Sequence, residues 1–148
     1  MHSETKTLLG ATGSSAKDTS VHNVDPASFP AGTAVRLKSD GLLTVTKAEG
    51  QLIGVSLGKS LSDHKKTTVC RTGESVPILL TDDEDDYAYV VKGALVYVDD
   101  VTGLANIVDD VSVTTTATQA IYVSGPIDGV KEDGTTAKVA LIDMTGGL

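Results

Sequence analysis

The sequence predicts an all-β body that is built from two similar β units and preceded by an extended N-terminal arm. Three observations lead to this prediction. Short runs of alternating apolar and polar residues are separated by turn sequences that contain glycine and aspartate. No segment keeps a helical periodicity over about ten residues. A similar succession of strands and turns occurs twice in the 148 residues, a length at which a single domain can bury a core.

The two units cover about residues 32–80 and 93–143. Each begins with a glycine, continues with two alternating apolar positions and a glycine-containing turn, and then reaches a strand that ends in Val-Ser. These positions are Gly32, Val35, Leu37, Gly41 and 53–56 in the first unit and Gly93, Val96, Val98, Gly103 and 121–124 in the second. We therefore predict that residues 35–37 and 96–98 occupy equivalent strands and that Gly41 and Gly103 lie in equivalent turns.

Strands are predicted wherever the alternation has period two. Val35 and Leu37 alternate with Arg36 and Lys38, and the following Asp-Gly pair marks a hairpin turn at Gly41. Pro77 has no N–H to donate, so its strand is expected at a sheet edge or a bulge. Further strands are predicted at 43–46, 52–57, 67–71, 76–80, 87–91, 95–98, 104–108, 119–124 and 137–143, and residues 60–66 can hold one helical turn.

The first 31 residues form a different kind of segment. They are rich in Ser, Thr, Gly and Ala, and no helical or alternating pattern is sustained in them. We predict an arm, residues 1–31, that lies outside the core and is disordered in the free protein, because ordering each residue costs about 1–2 kcal/mol. An unstructured tail with no role is the alternative. The scattered apolar anchors are Leu8, Leu9, Val21, Val24 and Phe29.

Composition excludes several classes of partner. The net charge is −8 and the sequence pI is about 4.6, whereas nucleic-acid binding needs a basic surface. The same charge disfavours anionic membranes, and neither an apolar run long enough to span a bilayer nor a secretory signal is visible. We therefore expect no nucleic acid and no membrane among the partners. The one cysteine, Cys70, is expected to be a buried and unreactive thiol.

The sequence predicts no enzyme, no cofactor and no metal site. His2, His22 and His64 have no histidine partner at a metal-ligand spacing. Residues 82–86 are all acidic and are expected to form a solvated linker between the units, because the spacing does not fit a calcium loop. The paired carboxylates at 99–100 and 109–110 are expected in turns. The sequence around Ser56 recurs in part at 123–125, so it is interpreted as a structural strand end.

Three short motifs resemble one protein family. They are F-P-A-G-T-A-V-R-L at 29–37, the hairpin glycine Gly41, and L-I-G-V-S at 52–56. They are similar to the body of tailed-phage capsid decoration proteins, also called head cement proteins, in which a G-x-x-V strand leads through a hairpin to an I-G-V strand. The sequence at 91–98 is similar to the segment that follows in that family. The resemblance covers about residues 29–142, and it carries no catalytic residues; the long arm and the acidic run depart from it.

The resemblance implies a structural virion protein with a small β-barrel or β-tulip body. Such a protein is made in the bacterial cytoplasm and binds the outer surface of the capsid, where it bridges major capsid proteins and stabilises the head. The resemblance also implies a homo-oligomer, a homotrimer first and a homodimer second. The arm anchors Leu8, Leu9, Val21, Val24 and Phe29 are the candidate capsid contacts, through addition of a strand to an exposed edge. Phe29 is the exception, because beside Pro30 we expect it to fill the core of its own subunit.

Two other classes of function compete with this one. The first is a β-domain adhesion module that binds host-surface carbohydrate or a receptor, for which Tyr87, Tyr89, Tyr97 and Tyr122 are the only tyrosines available for sugar stacking. The second is a small hydrolase, which the sparse catalytic residues disfavour.

The solvated-linker interpretation of residues 82–86 predicts that calcium leaves the melting temperature of the protein unchanged. A bound ion would add RT ln(1 + [L]/Kd) to the free energy of unfolding, about 3 kcal/mol at a hundredfold excess over Kd. Thermal melts in calcium chloride and in potassium chloride of equal ionic strength test this. A rise in melting temperature that is specific to calcium and reversed by a chelator would contradict the interpretation.

Overall fold

Strands account for nearly all of the regular structure. The computed structural model describes residues 7–8, 16–23, 29–59, 66–81, 92–107, 118–131 and 134–148. Within these ranges the only helical element is a 3₁₀ turn at Lys47–Glu49, so the all-β prediction is confirmed. The strands are β1 (Thr7–Leu8), β2 (Ala16–Asn23), β3 (Ala34–Lys38), β4 (Leu43–Thr44), β5 (Gly50–Lys59), β6 (Lys66–Gly73), β7 (Val76–Leu79), β8 (Val96–Val98), β9 (Ala105–Ile107), β10 (Ile121–Val130) and β11 (Thr136–Asp143).

The strands form three sheets. A five-stranded sheet has the order β2-β6-β5-β3-β4, a four-stranded sheet has the order β1-β10-β11-β7, and β8 pairs with β9. Every pairing is antiparallel except that of β1 with β10. Each sheet is open in the described part of the chain, so the closed barrel that the family resemblance implies is not formed there. The strand of Pro77 is the edge strand β7, as predicted.

The five-stranded sheet is covered on both faces. Its inner face contributes Ala34, Val55 and Cys70 to the main hydrophobic cluster, which β7 to β11 complete. Its outer face contributes Val35, Leu43 and Val69 to a second cluster that includes Phe29. Neighbouring residues such as Val69 and Cys70 point to opposite faces of a strand. Both are fully buried, so the strands in the middle of this sheet do not alternate between buried apolar and exposed polar residues.

Residues 29–34, which we call the linking segment, connect the three hydrophobic clusters. Phe29 belongs to the outer cluster, Ala31 packs with Leu79 and Val139, and Ala34 belongs to the main cluster. The backbone hydrogen bonds of the linking segment also reach more than one sheet. The Gly32 N–H donates to the Ser56 carbonyl at 2.7 Å, and the Gly32 carbonyl accepts from Leu79 N–H at 2.9 Å. The linking segment therefore joins β5 of one sheet to β7 of another.

The sequence predicts the boundary between the arm and the body between residues 31 and 32, but in the structure the body already includes the linking segment. Phe29 is 7% exposed and Ala31 is fully buried, so both belong to the body. Residues 16–23 are not outside the body either, because β2 pairs with β6 over its whole length. Backbone pairing with β6 supplies the order that the sequence of this segment does not predict. In the structure, residues 16–23 and 29–31 therefore pair or pack with the body. Disorder of the arm in the free protein stays a prediction.

The two predicted units share an order of strand pairing. In the first, β3 pairs with β4 and β5, and β5 pairs with β6. In the second, β8 pairs with β9, Leu95 just before β8 bridges to Ile121, and β10 pairs with β11. Gly41 and Gly103 both adopt positive φ, 88° and 73°, in the corresponding hairpin turns. The equivalence of individual residues in the two units stays a prediction.

The two turn glycines differ in their surroundings. The Gly103 carbonyl accepts a hydrogen bond from Ala34 N–H at 3.0 Å, which seats the β8–β9 turn on the end of the linking segment. A Cβ at Gly103 would lie 2.6 Å from the Ala34 carbonyl oxygen, whereas a Cβ at Gly41 would meet nothing within 4 Å. Only Gly103 is therefore required both for its φ and for close packing.

This difference predicts unequal costs for the same substitution. Gly41→Ala adds only the strain of positive φ, about 1–2 kcal/mol. Gly103→Ala adds the same strain and also overpacks the contact with Ala34, for a further 1–3 kcal/mol or so. Urea unfolding of both variants measures the difference, with Gly41→Ala as the matched control. Equal losses of stability would show that the β8–β9 turn is not tightly seated.

Candidate functional site

The structure separates the five predicted arm contacts. Leu8 lies in β1, which pairs in parallel with β10 through Val130. Val21 lies in β2, and Phe29 lies in the linking segment. Leu9 and Val24 fall outside the described residues. The described members therefore belong to three different parts of the fold and do not form one apolar stripe.

Phe29 is not a surface contact. Its ring is buried with Val35, Leu43 and Val69, and its carbonyl accepts a hydrogen bond from the Ser56 hydroxyl at 3.3 Å. The expectation that Phe29 fills the core of its own subunit is confirmed. Its ring is therefore not available to contact a partner.

Strand β2 is the candidate functional element. It pairs with β6 along one edge, with Val21 opposite Thr68 and His22 opposite Thr67. It is also the end strand of its sheet, and no other described element hydrogen-bonds to its outer edge. The Val21 side chain is 57% exposed. An open strand edge of this length is a template for pairing with another chain.

His22 gives this edge a titratable group. Its Nε2 lies 2.7 Å from the Ser20 hydroxyl oxygen, on the same face of the strand. Partial burial lowers the pKa of His22 below its ordinary value, and the positive charge of Arg71 lowers this pKa further. The imidazole is thus held in its neutral form near neutral pH. In that form its Nε2 either donates a hydrogen bond to the Ser20 hydroxyl or accepts one from it, depending on the tautomer.

The other chemically active side chains have structural surroundings. Cys70 is fully buried, its thiol donates to the Thr72 carbonyl at 3.2 Å, and burial with the nearby Asp18 charge raises the pKa of the thiol. Its predicted burial is confirmed. Asp99 accepts hydrogen bonds from Val101 N–H and Thr102 N–H, and these bonds lower the pKa of its carboxyl. Asp99 therefore stabilises a turn, as the sequence predicts.

Gly54, Ser56 and Gly58 have the G-x-S-x-G spacing of the nucleophile elbow of hydrolases. That elbow exposes its serine at a sharp turn between a strand and a helix. Ser56 instead lies inside β5 and is fully buried. Its hydroxyl donates to Phe29 and accepts from Gly58 N–H at 3.1 Å. These bonds give Ser56 a structural role, because its hydroxyl helps to hold the linking segment against β5.

The tyrosines that an adhesion site would use are poorly placed in the described ranges. Tyr122 is 4% exposed, and its hydroxyl donates to the Gly125 carbonyl. Tyr97 is half-buried in β8, and Tyr87 and Tyr89 lie outside the described residues. No group of three or more His, Cys, Asp or Glu side chains is arranged to hold a metal ion in the ranges that the structure describes. The acidic run 82–86 and Asp109-Asp110 fall outside those ranges.

Comparison with known proteins adds no relative. No family model, no curated protein and no solved structure matches this chain. The described ranges hold no helix of the length and hydropathy that crossing a membrane requires.

His22 predicts a pH dependence of stability with a definite sign. Because folding lowers the pKa of His22 below 6.5, the unfolded chain takes up the proton first as the pH falls. The contribution of His22 to stability is therefore present above about pH 6.5 and is lost at lower pH. An NMR titration of the imidazole C–H signals, assigned with His22→Gln, measures the pKa directly. A value at or above 6.5 in the folded protein would contradict the environment described for this strand.

Proposed function

We propose that this chain is a structural virion protein that binds the outer surface of a phage capsid, bridges major capsid proteins and stabilises the head. The observation that carries the proposal is the end strand β2, with an open outer edge in the described structure and an exposed Val21. An extended segment of a capsid protein can add to such an edge through main-chain hydrogen bonds, while Val21 provides a side-chain contact.

Two further features support the proposal. The motif at 29–37 that resembles decoration proteins coincides with the linking segment and β3, the part of the fold that joins the sheets. A net charge of −8 suits a protein on the outside of a shell, because it has no need to contact packaged DNA. Repetition on a capsid lattice makes a weak single contact sufficient, since each oligomer engages several sites at once.

Electron microscopy of particles purified from the organism whose genome encodes the chain tests the proposal. The proposal expects density for the protein on the shell lattice, identified by a specific antibody fragment. Density confined to the tail would support the adhesion module instead. Absence of the protein from all purified particles would overturn both.

The role of β2 predicts unequal effects of two matched surface substitutions. Val21→Asp should leave the melting temperature nearly unchanged, because the side chain is exposed. It should weaken binding to undecorated capsids about tenfold or more, since each buried apolar contact contributes about 1–3 kcal/mol. Val101→Asp is the control, because Val101 is 68% exposed in the β8–β9 turn. Co-sedimentation with capsids measures both variants.

The two variants also locate the contact if the prediction is wrong. Loss of capsid binding in Val101→Asp with full binding in Val21→Asp would move the contact from β2 to the β8–β9 turn. Full binding by both variants would exclude both surfaces.

A further inference from the structure

A pocket of about 280 Å³ lies where the inner face of β3 meets the end of β8. Arg36 and Lys47 supply positive charge to its wall, and Asp100 supplies the negative charge. Leu52, Val98 and Leu148 supply an apolar side. Most of the surface that the pocket exposes is polar, and the three apolar side chains add a smaller apolar side.

Arg36 is the unusual member of this wall. It alternates with Val35 and Leu37 along β3 and points to the inner face, where the residue is only 7% exposed. Its Nε is buried and has no hydrogen-bond partner. Arg36 forms no ion pair in the described structure. A buried N–H without a partner is costly, because burial removes its hydration and no hydrogen bond replaces it.

The groups around Arg36 leave a site for one negative charge. Lys47 pairs with Asp100 at 3.9 Å, and both side chains are at least 60% exposed, so this ion pair is weak. Thr118 is already engaged, because its hydroxyl donates to the Val96 carbonyl at 2.7 Å. Gln119 also lines the pocket, and its amide can donate to an anion. Arg36, Lys47 and Gln119 are therefore the available donors.

We propose that this pocket binds a carboxylate group attached to a short apolar carbon chain. The planar guanidinium of Arg36 matches a carboxylate in a two-bond arrangement, and the apolar side of the pocket fits the carbon chain. Arg36 and Lys47 against Asp100 leave one net positive side-chain charge in the wall, which a single carboxylate balances. The carboxylate comes from a free small acid or from an acidic side chain of a polypeptide. This inference does not rest on the proposed virion function.

NMR of the arginine side chains tests the proposal with an internal control. The sequence contains only two arginines, Arg36 and the exposed Arg71, so two Nε–H signals are expected and Arg71→Lys assigns them. Butyrate should shift the Arg36 signal in a saturable way and leave the Arg71 signal unchanged. A blocked peptide with one glutamate serves as the second carboxylate source, and phosphate serves as the competing anion. A lower Kd for either butyrate or the peptide identifies the source, and both results support the proposal.

Variants connect the signal to the pocket. Arg36→Met removes the charge and should lower butyrate affinity about tenfold to a hundredfold, the range of one charge-assisted hydrogen bond. It should also reduce the butyrate-dependent rise in melting temperature at a fixed butyrate concentration, while leaving the ligand-free melting temperature unchanged or higher. Lys38→Met, a change at a partly exposed position of the same strand that does not line the pocket, should retain full binding. Lys47→Met, at an exposed position in the pocket wall, should weaken butyrate binding several-fold. This variant tests the pocket if Arg36→Met does not fold.

Three results would overturn the proposal. The first is the absence of any saturable shift of the Arg36 signal with butyrate or the peptide at millimolar concentrations. The second is an equal shift of the Arg36 and Arg71 signals, which would indicate general screening of charge. The third is tighter binding of phosphate than of either carboxylate.

Discussion

The whole fold depends on satisfying the buried backbone of the linking segment, residues 29–34. A buried segment outside a regular strand must find partners for its N–H and carbonyl groups. Here the partners come from β5, β7 and the β8–β9 turn, at Ser56, Leu79 and Gly103. No single neighbour supplies all of them. Removal of any one partner would leave a buried polar group unmatched, at a cost of about 1–3 kcal/mol, so the three sheets are held in place by one short stretch of chain.

Small side chains set the second constraint. With one Phe and no Trp, the core is filled by Val, Ile, Leu and Ala, so strands must approach closely where no side chain separates them. A Cβ at Gly54 would collide with the Cys70 carbonyl oxygen of the neighbouring strand. The single Phe occupies the outer cluster, where it packs against Val35, Leu43 and Val69 on the outer face of the five-stranded sheet. The core is therefore divided into three clusters instead of one.

Period-two alternation located β3 to β9 and β11 within a few residues, and it located the start of β10, because these strands have a repeating contrast between apolar and polar positions. It missed β2, whose order comes from pairing with β6 and not from an apolar face of its own. It also gave no indication of the burial of Arg36. Alternation shows that Val35 and Arg36 face opposite ways, but it cannot show that both faces of the sheet are covered. The linking segment was recognisable as a motif, whereas its hydrogen bonds depend on residues far away in the sequence.

The distances along the chain between the linking segment and its partners have a consequence for biosynthesis. The segment leaves the ribosome early, but Leu79, Gly103 and Val139 must all be synthesised before its contacts are complete. Contacts between residues so distant in sequence slow folding, because the entropy of closing long loops is lost before the contacts form. The inner face of the N-terminal sheet therefore stays uncovered until translation is nearly finished. A chain at this stage exposes apolar surface and unpaired strand edges, which makes it prone to aggregate.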